Sequence, residues 1–320
     1  MDFLQQGYLG KNDWWRYLVG TLFIFFLWQF LGVIPLVYVA YKHAGNLKTL
    51  LASAEVQFSN LGIDNNLMLG LMLLTGVFGV IAIIIALRIF HNRSFKTVLT
   101  ARQKFDWKRV AMGFTITAIV ALIGFYLTIQ QADENLVWNF NPEKFYPLLL
   151  VSFVLFPFQT GTEEFLFRGY LMQWFGTGLN SRLAALLITG VLFGIVHGAN
   201  PEVAKLGSSV MIFYIGTGLF YGLTTLLDDG LELSFGMHTA NNISAALLIS
   251  TDWTIIHTDA LYIDYSEPSV DATMLIPVLI GYPLLTLFFA KIYHWNDWKT
   301  KLFSPLNEPK TASLNETNNS

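Results

Sequence analysis

Hydrophobic residues run along this chain in long, nearly unbroken segments that short polar stretches separate. A helix needs about 20 mostly apolar residues to cross a hydrocarbon core about 30 Å thick. Segments that meet or approach this length predict eight transmembrane helices, at about 17–41, 66–88, 109–130, 147–175, 182–198, 207–226, 231–250 and 273–292. The pattern therefore predicts an all-α polytopic membrane protein with about eight transmembrane helices.

Composition supports lipid as the solvent of most of the chain. Of the 320 residues, 54% are hydrophobic and 13% are charged, whereas soluble domains carry about 25% charged residues. The net charge of -3 and the scattered basic residues give no support to a nucleic-acid partner. The absence of cysteine excludes disulfides, thiolate metal ligands and a cysteine nucleophile.

The charge pattern also predicts the domain organisation and the orientation. Residues 1–302 form a single transmembrane domain, and the polar stretch 303–320 is predicted to be a disordered tail. Seven Lys or Arg residues lie between Arg88 and Arg109, with Asp106 as the one acid, so this loop is predicted to be cytoplasmic. An integral protein of the plasma (inner) membrane with both termini in the cytoplasm follows.

Ionisable residues are concentrated in three of the apolar segments. The fourth contains Glu163, Glu164 and Arg168, the fifth contains His197, and the seventh contains His238 followed by Asn241 and Asn242. A charge inside a membrane costs about 2.5–3.5 kcal/mol even on insertion scales. This concentration predicts a functional site inside the helix bundle, within a catalytic core at about 147–250.

Helical spacing divides the charges of the fourth segment into two sets. Glu164 and Arg168 are four residues apart, which predicts a structural ion pair. Glu163 lies on a different helix face, and His197 is its predicted partner, because both lie about 20 Å from the cytoplasmic ends of their segments. His238 counts to only about 11 Å, so it is predicted to lie at a shallower level.

Two chemistries fit these residues. A carboxylate and a histidine together activate water for hydrolysis, and His238 with Asn242 would bind the developing oxyanion. Alternatively, Glu163, His197 and His238 would ligate Zn²⁺ and leave one position open for water. Both versions stay open.

Three motifs in these segments resemble one known family. "EEFLFRG" matches EExxxR, "FGIVH" from Phe193 to His197 matches FxxxH, and "HTANN" from His238 to Asn242 matches HxxxN. Over about 147–250 the chain resembles the CPBP family of CAAX proteases and bacteriocin-processing enzymes, also called the Abi or type II CAAX prenyl endopeptidase family.

The resemblance implies an intramembrane endopeptidase that acts on membrane-associated, CAAX-like or leader peptides. It implies a role for Glu163 in activating water, for His197 as its partner, and for His238 and Asn242 in binding the oxyanion or a metal. Glu164, Arg168 and Phe193 would support them. The implied partners are the lipid bilayer and a peptide or membrane-protein substrate.

Two other functions compete with this interpretation. A scaffold or a bacteriocin-immunity or regulatory protein of the same fold would keep the polar cluster without hydrolysing a peptide. A transporter would use the buried Glu and His residues to relay protons, although no inverted repeat is visible in the sequence.

Overall fold

The computed structural model describes residues 1–55, 58–131, 133–251, 253–254, 257–267 and 275–309. Within these ranges the chain forms eight long helices, α1 to α8, at Trp14–Ala44, Asn65–Ile89, Trp107–Gln130, Pro142–Leu179, Arg182–Ala199, Ser208–Asp228, Glu232–Leu248 and Pro277–Tyr293. In this part of the chain, six of them, α1 to α6, are long and apolar enough to cross a membrane. The all-α polytopic fold is thus confirmed, but the count of eight spans is not.

The last two helices differ from the six in composition or length. α7 corresponds to the polar seventh segment, and α8 is a shorter apolar helix. Residues 273–274, where the eighth predicted segment begins, lie outside the described residues. Shorter helices connect or flank the long ones at Leu4–Tyr8, Leu47–Ala54, Ser59–Leu61, Phe95–Val98, Pro201–Leu206 and Trp298–Phe303.

Capping side chains determine where several long helices begin. The side chains of Asp64, Asp106, Asn141 and Ser181 each accept hydrogen bonds from backbone N–H groups in the first turn of α2, α3, α4 and α5 respectively. These N–H groups have no partner within the helix, and an Asp, Asn or Ser at the N-cap satisfies them. The polar residues that punctuate the hydrophobic pattern therefore set the helix boundaries.

α4 is the central helix of the bundle. All residues from 160 to 173 are buried, although this stretch includes two glutamates and an arginine. It packs against α2 and α7 in its first part, and against α5 and the short helix Leu4–Tyr8 in its last part. α3 is peripheral by contrast, because most of its side chains, such as Ile119 and Leu122, remain exposed to the surroundings of the bundle.

A small sheet, which the hydrophobic pattern did not predict, caps one end of the bundle. Strands β1 (Leu136–Trp138), β2 (Ile249–Thr251) and β3 (Tyr262–Asp264) lie in the order β1-β3-β2. β1 and β3 are antiparallel, with Val137 opposite Ile263, and β2 runs parallel to β3, with Ser250 opposite Ile263. We call this end of the bundle, with the segments 58–64, 133–141, 249–251, 253–254 and 257–267, the sheet end.

The opposite end carries most of the basic residues. It contains the N-terminal segment, the loop 90–106, the α4–α5 and α6–α7 turns and residues 294–309; we call it the basic end. Contacts hold these segments together: Arg182 pairs with Asp2 at 2.5 Å, Lys301 pairs with Asp229, and Leu231 N–H donates to Leu99. Both chain ends of the described structure therefore lie on the same side of the bundle.

Part of the predicted disordered tail is structured. Leu306 is completely buried, and its carbonyl accepts a hydrogen bond of 2.7 Å from the Tyr8 hydroxyl. Pro305 also forms a β-bridge with Ser181. The polar composition of the tail concealed this single apolar anchor, so the prediction of disorder is wrong for residues 303–309. The rest of the tail, 310–320, lies outside the described residues.

Candidate active site

The two neighbouring glutamates of α4 lie where the helix changes its geometry. They end a regular α-helical part, Pro142–Glu164, and a wider π-helical turn, Phe165–Leu171, follows directly. Turns of this kind are rare and occur often at functional sites. The side chain of Glu164 is completely buried, whereas that of Glu163 keeps 12% of its exposure.

Glu164 and Arg168 form the predicted ion pair. Arg168 Nη1 lies 3.1 Å from Glu164 Oε1, and both side chains are buried. The guanidinium also lies 4.0 Å from the ring centre of Phe193 and donates to the Gly218 carbonyl at 3.3 Å. A buried charge needs such a partner, because desolvation of an unpaired ion costs several kcal/mol. The pair therefore lets α4 keep a carboxylate inside the bundle.

His238 of α7 lies between the two glutamates. Its Nδ1 is 2.8 Å from Glu164 Oε1, and its Nε2 is 3.5 Å from Glu163 Oε2. The two carboxylates project from different faces of α4, yet one imidazole reaches both. Since the carboxylate of Glu164 is paired with Arg168, it accepts the Nδ1–H, and Nε2 is left to face Glu163.

The other oxygen of Glu163 belongs to a chain of hydrogen bonds. Gln159 Nε2 donates to Glu163 Oε1 at 2.5 Å, and Asn242 Nδ2 donates to Gln159 Oε1 at 3.0 Å. Because Asn242 donates to the amide oxygen of Gln159, the amide nitrogen must face Glu163. Asn242 thus fixes Gln159, and Gln159 fixes one oxygen of Glu163.

His197 lies at the end of α5, where the helix tightens into a single 3₁₀ turn, His197–Ala199. Its Nδ1 is 2.7 Å from the carbonyl oxygen of Phe193, so Nδ1 carries the proton and Nε2 is the acceptor of the neutral ring. The imidazole also stacks on Tyr214, with 4.7 Å between ring centres. Phe193 itself lies between the two histidines, at 4.6 Å from His197 and 5.9 Å from His238.

All four predicted catalytic residues line one cavity of about 310 Å³. Glu163, His197, His238 and Asn242 contribute side chains from three helices, and Gln159 lines the same space. Glu163 Oε2 is buried and has no hydrogen-bond partner among the described residues. An unsatisfied carboxylate oxygen beside a cavity is suited to bind a water molecule.

The segment that builds this site also matches a known family. Residues 142–244 match the type II CAAX prenyl endopeptidase Rce1-like family. The uncharacterized protein YyaK of Bacillus subtilis (strain 168) is 31% identical over 248 residues, which cover 75% of this chain and 80% of the relative. The chain belongs to this Rce1-like family. No solved structure matches the chain.

Membership of the Rce1-like family confirms the resemblance that the three motifs indicated. It also identifies the protein as an integral membrane protein of a CAAX-type endopeptidase family. The cavity brings the three family motifs together, because EExxxR lies on α4, FxxxH on α5 and HxxxN on α7.

The contacts differ from the predicted pairing within these Rce1-like motifs. His197 was the expected partner of Glu163 and lines the cavity with it, but the imidazole that faces Glu163 is that of His238. Counting residues from the helix ends placed His238 too shallow because the helices are offset. Gly169, six residues beyond Glu163, packs on Val98, and the next residue, Leu99, bonds to Leu231 at the start of α7. α4 therefore continues past the level at which α7 begins.

A three-ligand zinc site is not assembled by these side chains. Among the described residues, no three His, Cys, Asp or Glu side chains lie close enough together to hold one metal ion. Glu163 and His238 face each other, and the Nδ1 atoms of both His238 and His197 are engaged by protein oxygens, which leaves Nε2 of each ring as the nitrogen that could bind a ligand. The zinc version therefore stays a prediction.

Sequence reasoning missed Gln159. The signal was present, because Gln159 precedes Glu163 by four residues, a spacing that places two side chains on one helix face. Gln159 is neutral, and the prediction for this segment considered only its three charged residues. Tyr214 and Tyr221, which also line the cavity, were missed because aromatic residues are common throughout the apolar segments.

Proposed function

We propose that this protein is an intramembrane endopeptidase in which Glu163 is the general base that activates water. One observation carries the proposal: Glu163 lines the cavity, and its Oε2 lies 3.5 Å from His238 Nε2 without a hydrogen-bond partner among the described residues, while Gln159 holds Oε1. A general base must be within hydrogen-bond reach of the proton it removes. Since Glu163 lines the cavity and this oxygen has no partner among the described residues, we infer that it takes the proton of a water bound there.

The hydrolytic step balances with these residues alone. Glu163 Oε2 takes a proton from water as the water oxygen forms a bond to the carbonyl carbon of the scissile peptide. The carbonyl oxygen becomes an oxyanion. The tetrahedral intermediate then collapses, the C–N bond breaks, and Glu163 returns its proton to the leaving amine nitrogen. The carboxylate is regenerated, and no step passes through a metal.

The remaining side chains stabilise and orient this reaction. Asn242 uses one N–H for Gln159 and keeps its second N–H for the oxyanion. His238, held at Nδ1 by Glu164, directs Nε2 to the same space. His197 Nε2 accepts the second hydrogen of the attacking water and orients it. Glu164 and Arg168 act through His238 and are positioning residues.

We also propose an orientation in the membrane. Arg88, Arg93, Lys96, Arg102, Lys104, Lys108 and Arg109 lie in or next to the loop of the basic end, so this end faces the cytoplasm. Both termini are then cytoplasmic and the sheet end is outside. The chain has no cysteine, so a single cysteine at Lys104 or at Asp133 gives a clean test with a membrane-impermeant maleimide on intact cells. Labelling of Lys104→Cys but not of Asp133→Cys would mean that the basic end faces outward, which would contradict this proposal.

Peptide cleavage is the direct test of the proposed activity. The purified protein in lipid nanodiscs is incubated with a pool of membrane-associated peptides, and products are read by mass spectrometry. We expect wild-type protein to cleave some members and Glu163→Gln to cleave none. Glu143→Gln is the matched control, because it makes the same chemical change at an exposed position on the same helix. Equal cleavage by wild type and Glu163→Gln would exclude Glu163 as the base.

An absence of cleavage by every variant would favour the alternative that the fold serves as a scaffold or an immunity or regulatory protein. The pool therefore includes CAAX-like carboxyl-terminal peptides with and without a prenyl group, and leader-type peptides. Comparing the cleaved members identifies the substrate class without assuming it.

A further inference from the structure

A second cavity of about 290 Å³ adjoins the active site at the sheet end. Leu69 and Met72 of α2 line both cavities, so the two share a wall. The second cavity has no role in the hydrolytic step described above. It lies between the active site and the end that we place outside the membrane, next to the catalytic cavity.

One face of α2 lines both cavities. Asn65, Met68, Leu69 and Met72 recur at intervals of three or four residues and so lie on one side of the helix. At 1.5 Å per residue, the distance from Asn65 to Met72 is roughly 10 Å. An extended peptide rises about 3.3 Å per residue, so the second cavity has room for roughly three residues.

The opposite wall is polar and includes a strand edge. Ser250 and Thr251 of β2 line the second cavity together with His257 and Thr258. Within the described residues β2 pairs only with β3, so no strand occupies its other edge. An open edge offers backbone N–H and C=O groups to an added extended segment. β2 also follows α7 directly, and α7 carries His238 and Asn242.

We propose that this second cavity binds the substrate residues on the sheet side of the scissile bond, in extended form. The inference rests on the proposed peptidase function and adds where and how the peptide is held. The backbone of the substrate pairs with the edge of β2, and one large apolar side chain packs between Met68 and Met72. Methionine side chains are flexible and polarizable, so this position accepts several apolar residues rather than one.

The chemistry of the walls favours a peptide over a lipid chain. The second cavity is lined by the polar side chains of Ser250, His257, Thr258 and Asn65. Ser250, Thr258 and Asn65 each form a hydrogen bond within the protein, and the bonding capacity that they keep suits a polar ligand better than an acyl chain. A peptide backbone supplies both donors and acceptors. The site also lies at the loops of the sheet end, beyond the middle of the membrane-spanning helices.

The test uses peptides that wild-type protein cleaves in the pool assay. Met68→Trp fills the second cavity, and Leu67→Trp places the same side chain at the adjacent, exposed position as a matched control. We expect Met68→Trp to raise KM about tenfold or more without lowering kcat, and Leu67→Trp to leave both constants unchanged. With wild-type protein, shortening a peptide on the sheet side should raise KM by the same factor. With Met68→Trp, the same shortening should not raise KM further.

If shortening the peptide and Met68→Trp remove the same contact, their effects on KM do not add. This result would show that the shortened residues bind at Met68. An unchanged KM in Met68→Trp for every cleaved peptide would overturn the inference while leaving the peptidase function intact. An increase in KM that is independent of peptide length would overturn it as well.

A binding measurement separates this inference from the proposed function. A photo-crosslinking benzoyl-phenylalanine at Met68 in the Glu163→Gln background reports what enters the second cavity, whether or not cleavage occurs. Peptide adducts from the same pool support the inference even if wild-type protein cleaves nothing. Adducts with nanodisc lipid alone overturn it.

Discussion

Two buried polar networks in this protein differ in how completely they are bonded. At the basic end, both oxygens of Asp228 are engaged, one by Arg109 and by Trp295 Nε1 at 3.1 Å, the other by Arg102 at 2.9 Å. Glu232 is also paired at both oxygens, with Arg102 at 3.0 Å and with the Asp106 N–H at 3.2 Å. Every oxygen of these two carboxylates is engaged, and we call this the closed network.

The network of the active site is open, because it leaves carboxylate oxygens without a hydrogen bond. Gln159 engages Glu163 Oε1 and His238 engages Glu164 Oε1, whereas Glu163 Oε2 and Glu164 Oε2 have no hydrogen-bond partner among the described residues. Of these two glutamates, Glu163 lines the cavity and Glu164 is completely buried. Both networks keep carboxylates inside the protein, so burial of charge alone does not distinguish them. The distinction is the atom left unsatisfied, because only such an atom has bonding capacity left for water or a substrate.

The largest expected effect tests the open network. Glu163→Gln should lower kcat for peptide cleavage by a factor of about 10³ or more, since an amide does not act as a general base. Its unfolding midpoint should equal or exceed that of wild type, because the change removes a buried charge that has an incomplete set of partners. A clear loss of stability would show that Glu163 belongs to the structural network instead.

A substitution in the closed network should lower the stability of the protein and leave kcat unchanged. Asp228→Asn removes the carboxylate that Arg102 and Arg109 share. Glu232 and Asp106 still pair with these arginines, so the expected loss is that of hydrogen bonds to a charged group, about 1.5–3 kcal/mol. We expect a lower free energy of unfolding in a denaturant titration but an unchanged kcat in the folded fraction. Asp229→Asn is the matched control: its side chain is 37% exposed and pairs with Lys301, so the expected loss is below about 1 kcal/mol.

Two glutamines on α4, one at the active site and one at the basic end, allow the same comparison with a smaller expected effect. Gln159→Leu should lower kcat about 10- to 100-fold at constant KM, since one oxygen of Glu163 loses its fixed donor. Gln173 is buried in the basic end and donates to the carbonyls of Phe3 and Thr97. Gln173→Leu should therefore reduce stability and leave kcat unchanged. If both variants changed the same property, the two networks would not be separate.

The smallest effect concerns the pH dependence of stability at the basic end. Burial lowers the pKa of His91 to about 4, and its Nδ1 and Nε2 bond to the Lys11 carbonyl and the Tyr170 hydroxyl. Its pKa in the unfolded chain is about 6.5. Between these two pKa values the unfolded state binds a proton on His91 that the folded state does not bind, so stability should fall as pH drops from about 6.5 to about 4.

The measurement is the unfolding midpoint of the wild type, His91→Gln and His43→Gln between pH 7.5 and pH 4. His91→Gln should be less stable at pH 7.5 but should show a weaker decline with acid. His43 is exposed, so its substitution should leave the wild-type slope intact. A decline of equal slope in wild type and His91→Gln would remove His91 as the cause.

Local spacing was sufficient for those parts of the site that lie on one helix. Four residues separate Glu164 from Arg168, and the ion pair follows from helix geometry. The Rce1-like motifs likewise identified the helices that contribute to the site. Spacing was not sufficient for contacts between helices, and the predicted partner of Glu163 changed from His197 to His238 for that reason.

The sequence by itself determined the class of the protein, the membrane as its solvent, the family and four of the residues that line the cavity, Glu163, His197, His238 and Asn242. These properties depend on composition and on intervals within single segments, where one helical period fixes which side chains share a face. Tertiary structure alone decided that His238 bridges both glutamates, that Gln159 positions Glu163, and that Leu306 anchors the tail. Those contacts depend on the axial offset of packed helices, which the intervals within a single segment do not specify.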